Sequence, residues 1–398
     1  MDVAALKRSV CEEVDRLAPT LIDVARSIHD RPELAFEEHF AHDLLTSTIE
    51  AEGGAPVRGA YGVDTAFMAE AGADGPRIAV LCEYDALPEI GHACGHNVIA
   101  AAGLGAGLAA ATVARQAGGR VVIMGTPAEE GGGGKIAMAR EGAFEGLDAA
   151  MMVHPADADL IRIDAIAIQQ LEVTFHGRAA HAAAAPHEGR NALDAAVLGY
   201  MGVAALRQHI MPTERIHGIF TKGGDKPNIV PKEAAMQWYV RSPTSTTLQP
   251  LKERVLACLE GSALACGCTL DHEWDDFPYA DMRDNGPMVA SYVANAAAIG
   301  RTVADPASLG HAIVGSTDMG NISYLVPSIH PMVQVAPAGT PIHTPEFAAW
   351  AGREEADRAV VDGAKAMAMT IVDLWCDAAL RGEVSGAFAA VGPDRSVI

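Results

Sequence analysis

This 398-residue sequence has little positive charge and few aromatic side chains. Lys and Arg total 29 against 51 Asp and Glu, which gives a net charge of −22, and only 5% of the residues are aromatic. A surface this negative repels phosphate backbones and anionic headgroups, so we expect neither a nucleic-acid nor a membrane partner. The length predicts two or three domains, with cores built mainly from Ala, Val, Leu and Met.

Cysteines are also few, and their spacing is not that of a disulfide framework. The chain has an odd number of them, at Cys11, Cys82, Cys94, Cys258, Cys266, Cys268 and Cys376. Such scattered cysteines are typical of a reducing compartment. The N-terminal segment has no apolar stretch and predicts no secretory signal, and the longest uncharged run (98–114) is too short to span a bilayer. We therefore expect a cytoplasmic protein.

Strands and helices alternate in the first part of the chain. The patterns predict strands at 77–86, 120–126 and 149–155, with a helix at about 97–116 between the first two. This alternation predicts a mostly parallel sheet flanked by helices, in which chemistry gathers at the carboxyl ends of the strands. All three strands end in polar residues, namely Glu83 and Asp85, Glu129 and Glu130, and His154.

The pattern changes in the middle of the chain. Strands are predicted at 171–177, 217–223, 235–242 and 269–277, with helices at 191–206 and 248–266. This β-α-β-β-α-β order is ferredoxin-like. The α/β pattern then resumes with a helix near 287–300, a strand near 329–336 and a long helix over 348–380. We predict a discontinuous catalytic domain, 1–168 and 284–398, interrupted by a smaller domain at 169–283.

Four short clusters contain residues that could do chemistry. They are GHACGHN (91–97), PAEEGGGGK (127–135), His154 after an apolar strand, and His343 in IHTPEF. Taken singly, each has a plain structural explanation as a glycine-rich turn, a solvated acidic turn or a structural histidine. A phosphate loop is excluded at 127–135, because its pattern needs Gly at Glu129 and Ser or Thr at Ile136. Jointly, one thiolate, carboxylates and imidazoles suit divalent zinc, and manganese or nickel would also bind.

With these motifs the chain resembles the co-catalytic di-metal amidohydrolases, the family that includes aminoacylase, glutamate carboxypeptidase and the auxin-conjugate hydrolases. It is most similar to the branch of aminobenzoyl-glutamate hydrolases and β-alanyl dipeptidases. The matching segments, in chain order, are DALP (85–88), HACGHN (92–97), PAEEGGGG (127–134), HP (154–155), GRAAHAAAAP (177–186), KPNIVP (226–231), STDMGN (316–321) and HTPEF (343–347).

The resemblance implies the α/β fold of di-zinc exopeptidases, with the inserted ferredoxin-like domain acting as a lid and as the interface of a homodimer. It also implies an enzyme that uses two divalent metal ions to hydrolyse the amide bond of an N-acyl amino acid or dipeptide, releasing a free amino acid. The substrate would therefore be a small molecule.

Residue roles follow from the matched positions. The metal ligands would be Cys94, His96, Glu130, His154 and His343. Glu129 would be the general base, and His181 would stabilise the oxyanion, either in its own subunit or in the neighbouring one. Asp85 would orient a ligand. Glu83 stands where many relatives have a histidine ligand, so it is not counted among the ligands.

Substrate binding and two alternatives complete the prediction. We expect Asn228 and Arg241 to bind a substrate carboxylate, because arginine pairs with carboxylates through two hydrogen bonds.

One alternative function is an amide hydrolase that uses Cys94 as its nucleophile, with His96 or His92. Unlike the metal enzyme, it would remain active in the presence of a chelator. The other is a catalytically silent small-molecule binding protein on the same scaffold, which would bind metal without hydrolysing any acyl amino acid.

Overall fold

The computed structural model describes residues 2–309 and 314–398. Contacts divide the chain into two compact units. The first contains the segments through Asp164 and from Met282 to Ser396, and the second contains Ala165–Asp281. The assignment of these regions to catalysis and to lid or dimer formation stays a prediction.

The first unit is built around a six-stranded sheet. Its strands are β1 (Val57–Arg58), β2 (Phe67–Gly72), β3 (Arg77–Cys82), β4 (Arg120–Gly125), β5 (Ala149–Met151) and β13 (Ser328–Ile329), in the order β1-β2-β4-β3-β5-β13. The β3 strand is parallel to both β4 and β5, and β13 is parallel to β5, whereas β1 and β2 form an antiparallel edge. The predicted mostly parallel sheet is confirmed.

Both faces of this sheet are covered. The helices of the unit are α1 (Val3–Asp30), α2 (His39–Ala51), α3 (His96–Ala117), α4 (Gly134–Arg140), α7 (Gly286–Ala298), α8 (Met319–Ser323), α9 (Pro345–Ala351), α10 (Glu354–Cys376) and α11 (Ala378–Val391). Along β3, Ile78 and Val80 pack into the core formed with α1, α3 and α10, while Ala79 and Leu81 pack into the core formed with α4 and α8. A strand buried on both sides reads as a continuous apolar run, which is why 77–82 has no polar alternation.

The α3 helix explains the longest uncharged run of the sequence. By length and composition alone it could cross a membrane, but 89% of its apolar window is buried inside the unit. Its glycines lie where neighbouring elements approach closely. A side chain at Gly103, for example, would meet the carbonyl oxygen of Leu81 at 2.6 Å. The run is therefore a core helix packed onto the sheet.

Two predicted elements of the C-terminal part are wrong in their extent. The single helix over 348–380 is in fact three helices, and the side chain of Asp377 starts the last of them by accepting the amide hydrogens of Ala379 and Leu380. The strand near 329–336 is two short strands, β13 and β14 (Met332–Gln334), because Pro331 lies between them and lacks the amide hydrogen that a ladder needs. The β14 strand pairs in parallel with β6 (His154–Ala156).

The second unit has the predicted ferredoxin-like order. Its elements are β8 (Ala167–His176), α5 (Ala192–Leu206), β9 (Arg215–Lys222), β10 (Glu233–Ser242), α6 (Ser245–Ala265) and β11 (Thr269–Trp274). The sheet order is β11-β8-β10-β9 with antiparallel neighbours, and α5 and α6 share one core with it. The β9 strand is therefore an edge strand. Two further short strands, β7 (Asp164–Ala165) and β12 (Val314–Gly315), complete the described strands.

Candidate metal centre

The predicted ligands come together where parallel strands of the first unit end. Glu83 follows β3, Glu129 and Glu130 follow β4, and His154 follows β5. Because these strands run in parallel, their carboxyl ends lie at one edge of the sheet, where ligands collect in α/β folds. Cys94 and His96 reach the same edge at the start of α3, and Gly95 between them has a φ of 78°. A side chain there would meet Pro155 at 2.5 Å, so this turn needs glycine.

One group of three ligand atoms consists of Cys94, His96 and His154, all of them buried. The Nδ1–H of His96 donates to Asp85 over 2.9 Å, and the Nδ1–H of His154 donates to the carbonyl oxygen of Pro155 over 2.8 Å. These bonds fix the tautomer of each ring, so the lone pair of each Nε2 is left for another partner. The Nε2 atom of His154 lies 3.4 Å from the Sγ of Cys94.

A second group shares Cys94 with the first. It consists of Cys94, Glu130 and His343, and the Nε2 of His343 lies 3.5 Å from the Oε1 of Glu130. His343 reaches this position because its own amide hydrogen bonds to the carbonyl oxygen of Ala93 over 2.8 Å. It adopts a left-handed φ of 61°, which is uncommon for a non-glycine residue. A third group consists of His96, Glu129 and Glu130, so the three groups form one connected cluster of ligand atoms.

Three carboxylates lie close to the Nε2 of His96, the ring nitrogen that does not bind Asp85. The Nε2 of His96 lies 3.6 Å from Glu83, 3.8 Å from Glu129 and 3.9 Å from Glu130. Within the part of the chain that the structure describes, this nitrogen and the Oε2 of Glu83 are buried without a hydrogen bond, whereas the Oε1 of Glu83 pairs with Lys135. A buried polar atom left unpaired costs about 1–3 kcal/mol, and a charged one costs more. Divalent cations would satisfy these atoms, so the donor set fits a metal.

The two adjacent glutamates have opposite pKa shifts. Burial and the nearby carboxylates of Glu83 and Glu130 raise the pKa of Glu129 well above its usual value. Burial also opposes ionisation of Glu130, but its hydrogen bond to His343 and the nearby His96 lower its pKa overall. Two carboxyl groups whose pKa values are driven apart are suited to different roles, one accepting a proton and the other staying ionised.

Comparison with known proteins decides the family. A model of peptidase family M20/M25/M40 matches residues 79–373. The Xaa-Arg dipeptidase of Mus musculus is 42% identical over 389 residues, which cover 94% of this chain and 90% of the mouse protein. The chain belongs to peptidase family M20/M25/M40. The aminobenzoyl-glutamate branch is represented too, since one of the p-aminobenzoyl-glutamate hydrolase subunits of Escherichia coli is 32% identical, with 93% and 92% of the two chains covered.

A solved structure gives the same fold. A dinuclear metal-binding M20 peptidase from Bacillus subtilis matches with a TM-score of 0.68 at 20% identity, over 90% of this chain and 99% of the other. As an M20 member, the chain is a metal-dependent hydrolase of amide bonds that releases an amino acid. These findings favour neither a Cys94 thiol hydrolase nor a silent binding protein.

The other predicted residues of this M20 peptidase lie in the second unit. His181 and Asn228 are neighbours there, because the amide hydrogen of Ala182 donates to the carbonyl oxygen of Asn228 over 3.0 Å. Arg241 is not beside them. It lies near the end of β10, whereas Asn228 lies in the loop before β10 starts, and at 3.3 Å per residue about 26 Å of strand lies between the two ends. Asn228 and Arg241 therefore lie toward opposite ends of β10.

Four buried residues beside the M20 ligand groups escaped the sequence analysis. Lys135 is fully buried, with its Nζ 2.5 Å from Glu83 and 2.6 Å from Asp318. Glu38 accepts the amide hydrogen of Ala128 over 2.8 Å. His330 packs edge-on against His154, with ring centroids 5.3 Å apart. The STDMGN and PAEEGGGGK motifs contain Asp318 and Lys135, but no motif in the sequence points to Glu38 or His330.

Proposed function

We propose that this M20 peptidase cleaves dipeptides and N-acyl amino acids at a two-metal centre in its first unit, with Glu129 as the general base. The observation that carries this proposal is the pair of ligand groups, Cys94 with His96 and His154, and Cys94 with Glu130 and His343, which share one thiol beside Glu129. When bound there, two divalent cations would supply a water of lowered pKa and polarise the scissile carbonyl. Thiolate and imidazole donors favour zinc, and manganese or nickel also suit the set.

Glu129 would move the proton in this reaction. The attacking water must lose a proton as the tetrahedral species forms, and the departing amine must gain one. A carboxyl group whose pKa is raised by burial can accept the first proton and return it to the amine. Asp85 would contribute by accepting the Nδ1–H of His96, which orients the ring so that its Nε2 can bind metal.

His181 is suited to donate to the oxyanion. Its Nδ1 accepts the amide hydrogens of Ala183 and Ala184 over 3.2 and 3.1 Å, so the neutral ring carries its proton on Nε2. An exposed Nε2–H fixed in this way is a hydrogen-bond donor for a developing negative charge. Asn228, next to His181, would bind substrate together with it. Since Arg241 lies far from both in one chain, we propose that the substrate carboxylate is bound by Arg241 of one subunit, while His181 and Asn228 come from the other.

This sharing needs a homodimer, and the second unit has a surface that suits a second copy of the chain. The edge strand β9 exposes Ile219 and Phe220, which are 61% and 42% accessible, and α5 exposes Leu198 and Met201, which are 50% and 60% accessible. An exposed apolar edge strand tends to pair with another strand, and a twofold axis would bring the same surface onto itself. We propose that β9 and α5 form the dimer interface.

The substrate proposal is a dipeptide whose released amino acid is cationic. The mouse relative is named for cleavage before arginine, and the net charge of −22 favours a positive substrate over an acidic one. We also propose a cytoplasmic location, in keeping with seven free cysteines.

Hydrolysis by the zinc-reconstituted chain tests the function. Xaa-Arg and Xaa-Lys dipeptides should be cleaved faster than Xaa-Glu dipeptides and aminobenzoyl-glutamate, and chelation should abolish cleavage of all of them. A preference for the acidic substrates would contradict the substrate class. Cleavage that persists after complete metal removal would contradict the mechanism.

A further inference from the structure

We propose that three buried carboxylates, Glu38, Asp85 and Asp318, hold the loop at 127–135 in its working conformation before any metal binds. This loop, called the glutamate loop below, carries Glu129 and Glu130. The inference rests on the proposed roles of these two glutamates. Glu38 and Asp318 are thereby positioning residues, and Asp85 gains a second task besides holding His96.

Glu38 holds the start of the glutamate loop. Its Oε1 accepts the amide hydrogen of Ala128 over 2.8 Å, and its Oε2 accepts the hydroxyl hydrogen of Thr65 over 2.9 Å. Glu38 directly precedes α2 but makes no capping bond to that helix, so its two carboxylate oxygens bind Ala128 and Thr65 instead. The bond supports an unfavourable backbone, because Ala128 has a φ of 60°.

Asp85 holds the middle of the glutamate loop. Its Oδ2 accepts the amide hydrogen of Glu130 over 2.8 Å, while its Oδ1 accepts from His96 over 2.9 Å. One carboxylate thus connects the backbone of one ligand to the ring of another. A shift of the loop at Glu130 would therefore also displace the ring of His96.

Asp318 holds the end of the glutamate loop. Its Oδ2 accepts the amide hydrogen of Lys135 over 2.9 Å, and its Oδ1 accepts from the ammonium group of the same residue over 2.6 Å. The ammonium group also pairs with Glu83 at 2.5 Å. Lys135 is thereby fixed by backbone and side chain, and it offsets two of the negative charges packed around the site.

The three contacts follow one pattern. Each carboxylate is at most 1% exposed, and each uses one oxygen for a loop amide and the other for a side-chain donor. Because all three carboxylates are buried, a loop amide that lost its bond would be left as an unsatisfied polar group. The loop needs this support because residues 131–134 are four consecutive glycines, which lose the most conformational entropy on ordering. The bonds to Ala128 and Glu130 precede the four glycines and the bond to Lys135 follows them, so the glycine segment is held at both ends.

Hydrogen–deuterium exchange on the full-length, metal-free chain tests the proposal. The amides of Ala128, Glu130 and Lys135 should be protected without metal. Glu38→Ala should raise exchange at Ala128, and Asp318→Ala at Lys135, each by at least about tenfold, whereas Glu38→Gln, which keeps an acceptor oxygen, should retain most of the protection. Zinc affinity, measured by chelator competition, should fall about 10–100-fold in the two alanine variants.

Glu214 provides a matched control. It is 8% exposed, its carboxylate accepts the amide hydrogen of Met211 over 2.8 Å, and its other oxygen faces the hydroxyl group of Ser242 at 3.5 Å. Glu214→Ala should raise exchange around Met211 and leave both the glutamate loop and zinc affinity unchanged. If an alanine variant of an anchor fails to fold, the wild type alone still decides between the two outcomes: its amides of Ala128, Glu130 and Lys135 should exchange at nearly the same rate without metal as with zinc bound.

One exchange result would contradict the anchoring proposal. If the loop amides of the metal-free wild type exchange as fast as those of the alanine variants and become protected only when zinc is added, the metal orders the loop and the anchoring proposal is wrong. The readout needs neither substrate nor turnover, so a chain that fails to cleave the proposed dipeptides would still give an answer.

Discussion

At the scale of single residues, adjacent side chains acquire different chemistry from their surroundings. Glu129 and Glu130 are neighbours in the chain and both lie near the Nε2 of His96, but only Glu130 also shares a ligand group with Cys94 and His343. Burial and neighbouring carboxylates raise the pKa of Glu129, while His343 and His96 outweigh burial and lower that of Glu130. The sequence predicts that one glutamate binds metal and the other moves protons, but the opposite shifts depend on tertiary contacts.

This difference predicts two distinct variants. Glu129→Gln should keep its full metal content and lose about 10²–10⁴-fold in kcat, because only the proton acceptor is removed. Glu130→Gln should lose metal as well as activity. Metal analysis and steady-state kinetics on both variants check this, and loss of metal in Glu129→Gln would reverse the two assignments.

A second residue, Asp284, should contribute to the pH dependence of stability. Burial raises the pKa of Asp284 to about 7, although Arg162 and the backbone amide of His330 act in the opposite direction. A carboxyl group with a raised folded-state pKa contributes stability that is complete below its ordinary pKa of 3.8 and is lost as the pH rises through about 7.

Asp284→Asn should therefore flatten the fall in unfolding free energy between about pH 4 and pH 8, and stabilise the chain at pH 8 by about 2–4 kcal/mol. Urea denaturation across this range measures it. Parallel curves for the variant and the wild type would show that Asp284 titrates normally.

At the scale of elements, the patterns predict what is local and miss what depends on distant contacts. The strand–helix alternation and the ferredoxin-like order are confirmed, because both follow from hydrophobic periodicity. The helix over 348–380 was predicted too long, since apolar periodicity continues through the turn at Gly352 and the cap at Asp377. The carboxylate of Glu38 could not be linked to the glutamate loop, because 90 residues separate it from Ala128.

The glutamate loop gives a sharp test at this scale. A side chain at Gly134 would meet the carbonyl oxygen of Pro127 at 1.8 Å, whereas one at Gly131 would meet nothing within 4 Å. Gly134→Ala should force the loop to move and reduce kcat/KM about 100-fold, since a misplacement of 1 Å can cost that much. Gly131→Ala, the same substitution three residues earlier, should stay near wild type. Equal kinetics in the two variants would mean that the loop tolerates the shift.

At the scale of the whole molecule, the account depends on two copies of the chain. His181 and Asn228 lie together, Arg241 lies at the far end of β10, and the apolar surface on β9 and α5 belongs to the same unit. The matched motifs contain His181 and Asn228 but not Arg241, and the bounds of β10 place Arg241 at the other end of that strand.

Disrupting the surface on β9 and α5 should separate the subunits. Ile219→Lys places a charge on the exposed β9 edge and should give monomers with little activity. Leu264→Lys on α6, where the side chain is 82% exposed, should remain dimeric and active. Sedimentation velocity distinguishes the two outcomes, and an active monomer would contradict the shared site.

The most direct test of the central claim is a metal titration of the metal-free chain. Two of the ligand groups share Cys94 and together extend from Cys94 to His343, so amide hydrolysis should be absent without zinc and should reach its maximum at two equivalents per chain. Full hydrolysis at zero or one equivalent, or zinc binding that leaves hydrolysis unchanged, would contradict a two-metal centre at these residues.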